Sequence, residues 1–161
     1  MNRIAVFPGT FDPITIGHVD LVKRSLHLFD TIYLAIGINV NKKPLFALKL
    51  RIQWLEKVFL DYPQIRIESY EGLTVDFCKQ NNARYILRGL RNTLDFEYEK
   101  IIAQLNSKLN PFAESVFIMC NPEYSAINSS AVRDILINDG DASAFLPSEV
   151  AMNIQQNVNK G

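Results

Sequence analysis

At 161 residues, 48% of them hydrophobic, the chain is long enough for one domain to bury most of the apolar surface that its unfolded form exposes. Its 17 basic and 17 acidic residues cancel, which excludes an overall field drawing it to nucleic acid or an anionic membrane, so any anion must be held by local groups. Cys78 and Cys120 lack the spacing of a zinc site or redox motif, and no apolar run reaches signal-peptide or bilayer length; a reduced, soluble, cytoplasmic chain forming a single domain over residues 1–161 is expected.

Short apolar runs rich in β-branched and aromatic residues alternate with stretches of helical period, the pattern of βαβ units. The first strand is predicted over residues 3–8, followed by the turn Pro8-Gly9-Thr10-Phe11-Asp12-Pro13 and a helix starting near Gly17, with Val19, Val22, Leu26 and Phe29 on one face. A second strand over 31–38 leads through Lys42 and Lys43 to a helix carrying Leu48, Ile52, Leu55 and Phe59. A strand over 64–70 and a helix over roughly 73–81 come next. The fourth strand, 84–88, ends on Arg88 and is followed by a helix over roughly 93–109 with Phe96, Ile101, Leu105 and Leu109 as its apolar residues. A fifth strand over 115–120, a helix beginning near Ser129 with Ser129 or Ser130 as its N-cap, and a final helix from Pro147 to Asn159 complete the chain. Asp139-Gly140-Asp141 reads as a turn, and no repeat or linker interrupts the pattern. The fold class is α/β: a Rossmann-like, doubly wound sheet of five parallel strands with flanking helices.

Ligands of such sheets bind outside the carboxyl ends of the strands, where loops meet helix N-termini. Here those loops carry Thr10, Thr15 and His18 after the first strand, Lys42 and Lys43 after the second, Arg88, Gly89 and Arg91 at the fourth, and Ser125, Ser129 and Ser130 after the fifth. Basic, hydroxyl and small residues on one edge suit a polyphosphate rather than an apolar ligand. In the first loop, Gly9 and Gly17 permit close backbone approach, the helix start offers unpaired N–H groups, and His18 adds a donor. His27 has no polar companion at motif spacing and carries no functional assignment.

Thr15-Ile16-Gly17-His18 and Ile127-Asn128-Ser129-Ser130-Ala131-Val132-Arg133 resemble, in order, the T-x-G-H and I-x-S-S-x-x-R signatures of the nucleotidyltransferase superfamily, which binds ATP or CTP with the α-phosphate between the two motifs. Leu87-Arg88-Gly89-Leu90-Arg91, with Asp95-Phe96-Glu97-Tyr98-Glu99 behind it, is similar to the signature of the phosphopantetheine adenylyltransferase family, and the similarity extends to the Lys42-Lys43-Pro44 turn, Gly72-Leu73-Thr74-Val75 and Phe145-Leu146-Pro147. The resemblance implies that Thr10, Lys42, Thr74 and Arg88 bind 4′-phosphopantetheine. It implies that ATP meets Thr10, Phe11 and His18 from the first loop, Gly89, Leu90, Arg91 and Glu99 from the fourth strand and its helix, and Tyr124, Ser125, Ala126, Ile127, Asn128, Ser129 and Ser130 from the last loop. Asn128 departs from the pattern, where a third serine is common, and Tyr124 stands where tryptophan also occurs.

The implied reaction is attack of the acceptor's 4′-phosphate on the α-phosphorus of ATP, giving dephospho-coenzyme A and pyrophosphate. The nucleophile is already an anion, so no general base is needed; His18, Lys42 and Arg91 are expected to stabilise the transferring group, and Arg88 to grip the acceptor phosphate bidentately. Mg²⁺ is expected to accompany the nucleotide through phosphate oxygens and water, since no carboxylate cluster suggests a protein cage. The resemblance also implies a homohexamer. The rivals are nucleotidyltransferases acting on nicotinamide mononucleotide or glycerol phosphate, and a module that holds ATP without chemistry; a kinase or ATPase built on the G-x-x-x-x-G-K-[ST] loop is disfavoured because that loop is absent.

Overall fold

All five apolar runs form strands, β1 (Ile4–Gly9), β2 (Thr31–Ile38), β3 (Ile65–Glu71), β4 (Tyr85–Leu90) and β5 (Glu114–Met119), in a computed structural model that describes residues 2–39 and 43–158. They pair in parallel in the order β3-β2-β1-β4-β5. The chain winds outward from β1 through β2 to β3, then returns to place β4 on the other side of β1. That reversal makes the carboxyl ends of β1 and β4 a topological switch point, where a crevice opens.

The helices are α1 (Ile16–Ser25), α2 (Leu48–Val58), α3 (Thr74–Gln80), α4 (Thr93–Leu109), α5 (Ser129–Ile137) and α6 (Ser148–Val158). They cover both faces of the sheet, and β1 shows why its sequence is apolar throughout. Ala5 and Phe7 join one core cluster, with Leu34, Trp54 and Leu55, while the intervening Val6 joins a second, with Ala35, Val75, Cys78 and Ile86. The first helix is shorter than its apolar period suggests: it ends at Ser25, and Phe29 is buried from the loop beyond.

The fourth helix departs most from expectation. An apolar helical period ordinarily faces a core, yet the one buried residue in α4 is Glu99, while Ile101, Leu105 and Leu109 are each more than half exposed. The helix turns Asp95 and Glu99 inward over β4 and leaves its apolar stripe outside. No helix among the described residues is long and apolar enough to cross a membrane.

Candidate active site

A cleft of about 950 Å³ opens at the carboxyl ends of β1 and β4. Its first wall is the β1–α1 loop. Phe11 adopts a left-handed backbone with φ +46°, and its ring packs so closely beneath Gly9 that a Cβ there would stand 3.1 Å from it. Any other residue at position 9 would press the Phe11 ring aside by a few tenths of an ångström.

Thr15 caps α1 and fixes His18 at the same time. The Thr15 N–H donates to His18 Nδ1 at 3.1 Å, and the Thr15 hydroxyl lies 2.8 Å from the same nitrogen. Because Nδ1 accepts, the single proton of the neutral ring sits on Nε2. Phe7 and Phe11 flank the imidazole with ring centroids 6.2 and 5.5 Å away. Burial pushes the His18 pKa down to about 4, and the charge of Arg91 adds in the same direction. Although the residue keeps some exposed surface, its ring is enclosed by these neighbours. His18 thus offers the cleft a neutral N–H donor rather than a positive charge.

The opposite wall is β4 with α4. Arg88 Nε donates to Glu99 Oε2 at 2.8 Å, Arg88 Nη2 closes a tight ion pair with Glu99 Oε1, and Arg88 Nη1 donates to the Pro8 carbonyl at 3.0 Å. Three of the five guanidinium N–H groups are thereby engaged. Arg91 is held the same way by the carboxylate one turn before Glu99 on α4: its backbone N–H and Nε donate to Asp95 Oδ2 at 3.0 and 2.9 Å, and its Nη2 to Asp95 Oδ1 at 3.0 Å. The hydrogen bond from Arg91 holds the Asp95 carboxyl below the usual carboxylate range, and the same bond raises the pKa of Arg91. Both arginines therefore reach the cleft with one fork occupied by a carboxylate. The glycine between them has a packing role: a Cβ on Gly89 would lie 2.3 Å from Leu21 Cδ1, so any other residue would force the buried Leu21 side chain of α1 to move.

The third wall is the start of α5. Its N-cap is Asn128, not Ser129 or Ser130: the Asn128 side-chain oxygen accepts from the Ala131 N–H at 2.9 Å. Asparagine is as good a cap as serine, which accounts for the departure at this position. The two serine hydroxyls do other work, Ser129 donating to the Pro13 carbonyl at 2.8 Å and Ser130 accepting from Arg133 Nη2 at 3.0 Å. Arg133 Nη1 also reaches the Asp12 carbonyl at 2.8 Å, so the two motifs are tied directly to each other.

The cleft brings together Thr10, Phe11, His18, Thr74, Arg88, Gly89, Arg91, Glu99, Tyr124, Ile127, Asn128 and Ser129. Leu90, Ser125, Ala126 and Ser130 do not line it: Leu90 is in the core, and the other three are exposed. Lys42 lies outside the described residues. Sequence reasoning passed over Asp95, Tyr98, Ile102 and Asn106, which line the cleft from the same face of α4 as Glu99. Their helical period was the available signal: Tyr98, Glu99, Ile102 and Asn106 follow Asp95 by three, four, seven and eleven residues. Thr74 opens α3, and its hydroxyl is 2.7 Å from that of Tyr70, another lining residue not foreseen.

Helix starts, two guanidinium groups and a neutral imidazole donor around a switch-point crevice suit nucleotide phosphates, and the class of protein that combines them with this fold is the nucleotidyltransferases. A family model described as cytidylyltransferase-like matches residues 6–135. The chain is 49% identical to the phosphopantetheine adenylyltransferase of Flavobacterium psychrophilum, over 92% of this chain and 97% of that protein. It is 45% identical to the phosphopantetheine adenylyltransferase of Carboxydothermus hydrogenoformans, over 98% of each. The chain belongs to the phosphopantetheine adenylyltransferase family. A crystal structure described as a nicotinate-nucleotide adenylyltransferase of Vibrio parahaemolyticus shares the fold with a TM-score of 0.66 at 17% identity, covering 96% of this chain and 99% of that one.

Proposed function

We propose that the chain transfers the adenylyl group of ATP to 4′-phosphopantetheine, releasing pyrophosphate and giving dephospho-coenzyme A. The observation that carries this reading is the neutral His18 donor, locked by Thr15 beside a cleft whose far wall holds Arg88 and Arg91. An anionic phosphate needs no base to attack the α-phosphorus. What lowers the barrier is a pair of negative reactants held in line and donors aimed at the charge that builds on the pentavalent phosphorus. In this scheme His18 donates through Nε2 to the α-phosphate, and Arg91 and Lys42 add positive charge. Arg88 grips the acceptor phosphate through the N–H groups that Glu99 and Pro8 leave open. Thr10 lies between the two ligands, Thr74 contacts the acceptor, and Tyr124, Ile127, Asn128 and Ser129, the residues of the last loop that line the cleft, hold adenine and phosphates. Glu99 acts here chiefly by orienting Arg88.

Magnesium fits this site as a companion of the nucleotide. The Asp95 and Glu99 carboxylates are forked by arginines, and among the described residues no group of three or more His, Cys, Asp or Glu side chains could hold a metal ion. The ion would thus be carried by phosphate oxygens and water, supplying charge neutralisation as pyrophosphate leaves. The family resemblance implies a homohexamer, and the exposed Ile101, Leu105 and Leu109 on α4 support a contact between copies through this stripe. A cytoplasmic setting accords with two free cysteines.

The test is an assay of the purified protein with ATP, Mg²⁺ and 4′-phosphopantetheine, in which pyrophosphate and dephospho-coenzyme A should form together. Pyrophosphate released only with nicotinamide mononucleotide, or with glycerol phosphate and CTP, would leave a nucleotidyltransferase but refute this acceptor.

A further inference from the structure

Arg51 has no part in the cleft, yet it is one of the few buried charged residues of the chain, with 6% of its surface exposed. A guanidinium is costly to remove from water, and burial pushes its pKa down against the pull of the Asp12 charge. Its partners are two carbonyls rather than a carboxylate. From α2, Nε donates to the Phe46 carbonyl at 3.0 Å and Nη1 to the Thr10 carbonyl at 2.6 Å. One side chain thus bridges the loop after β1 and the turn that precedes α2.

Asp12 makes the reciprocal connection. Its buried carboxylate accepts from the Leu45 N–H at 2.8 Å and the Phe46 N–H at 2.9 Å. The two loops are therefore joined by a closed ring: a carboxylate of the first loop on the N–H groups of the second, and a guanidinium behind the second loop on carbonyls of both. Thr10 and Phe11 border the cleft and Arg51 does not, so the guanidinium acts from behind the loop. Across a trans peptide the C=O and the next N–H point in opposite directions, so anchoring the Thr10 carbonyl on Arg51 turns the Phe11 N–H away from it.

We propose that Arg51 is a positioning residue: with Asp12 it holds the Thr10 peptide and the 45–46 turn at one spacing, and so sets the geometry of the two loops that present the reactants to each other. The inference rests on the adenylyl-transfer reading for its kinetic consequence, though not for its structural one. Lysine can satisfy one carbonyl but cannot span both, and methionine keeps the length and apolar packing while removing both bonds.

The test uses the full chain with Arg51→Lys and Arg51→Met. Two readouts are taken: steady-state kinetics, normalised to the number of ATP sites titrated by calorimetry, and amide hydrogen exchange at Leu45 and Phe46 without substrate. The expected result is a ten- to hundredfold fall in kcat per titrated site in both variants, with each KM within about threefold of the parent, and at least tenfold faster exchange at the two amides in Arg51→Met. A kcat per site within twofold of the parent would overturn the proposal, as would unchanged exchange at Leu45 and Phe46. A merely structural residue would lose folded sites and leave turnover per remaining site intact, which also counts against it. If the parent protein makes no dephospho-coenzyme A, the acceptor reading fails, and the amide exchange still decides whether Arg51 holds the two loops.

Discussion

The two sides of the cleft are built on different principles. On the β1 side, the carbonyls of Pro8, Thr10, Asp12 and Pro13 are each held by a side chain from another element, namely Arg88, Arg51, Arg133 and Ser129. His18 is pinned through Nδ1 on the same wall. On the α4 side, Arg88 and Arg91 are matched to Glu99 and Asp95, and the helix carrying those carboxylates leaves its apolar stripe exposed. The first wall is pinned by hydrogen bonds within one chain; the second pairs its cations with carboxylates and leaves an apolar outer face exposed. Donors that need no rearrangement suit transition-state stabilisation, whereas paired arginines suit binding, since an arriving phosphate meets guanidinium groups already oriented.

The contrast is broken most severely at His18. His18→Ala is expected to lower kcat a hundred- to a thousandfold, the loss typical of one preorganised donor, with far smaller change in ATP affinity. Steady-state kinetics and calorimetry check it; near-normal turnover in a folded variant would return the residue to plain helix capping.

Arg88→Ala tests the other wall, and it should act on binding and stability together. Acceptor affinity falls, and Glu99 is left with its charge buried and unpaired, at a cost of about 2 kcal/mol, discounted from a fully buried pair because the Arg88 side chain is 29% exposed. Adding Glu99→Gln should restore most of the lost thermal stability but none of the acceptor affinity. Recovery of both would mean that Arg88 serves the fold alone.

The pH dependence of His18 sharpens the comparison further. Its folded pKa of about 4 lies below the ordinary value of 6.5, so the unfolded chain takes up a proton before the folded chain does. Stability from this group is complete above about pH 6.5 and declines as pH falls towards 4. Urea titrations between these limits should show that slope in the parent and a shallower one in His18→Ala. Turnover should lack an acidic limb near pH 6.5 attributable to this residue.

The smallest effect on the chemistry is expected on the outside of α4. Leu105→Glu places a charge in the exposed stripe and should shift the assembly to smaller species in multi-angle light scattering, with the monomer fold unchanged by circular dichroism. An unchanged mass would show that this stripe is not the subunit contact.

The strands were legible because buried parallel strands are apolar on both faces, as Ala5, Val6 and Phe7 illustrate. The loops at their carboxyl ends followed from the order of elements, and with them came His18, Arg88, Arg91 and Ser129 in a common cleft. The partners of those residues did not follow. Arg88 and Glu99 are eleven positions apart across a strand-to-helix turn, and only the packing of α4 over β4 brings them together. The burial of Arg51 was hidden for a similar reason: its partners at Thr10 and Phe46 become neighbours only once β1 and β2 pair. The exposure of Leu105 and Leu109 was missed because helical period shows that a helix has an apolar face without showing what covers it.

In this reaction the α-phosphorus is the atom transferred, beside a fixed neutral donor. The most direct measurement supplies ATP labelled at either the α- or the γ-phosphate, with Mg²⁺ and 4′-phosphopantetheine, to the parent protein and to His18→Ala. We expect α-label in dephospho-coenzyme A and γ-label in pyrophosphate, with the same distribution formed a hundred- to a thousandfold more slowly in the variant. Label from the γ-phosphate on the acceptor, or equal rates in the two proteins, would contradict it.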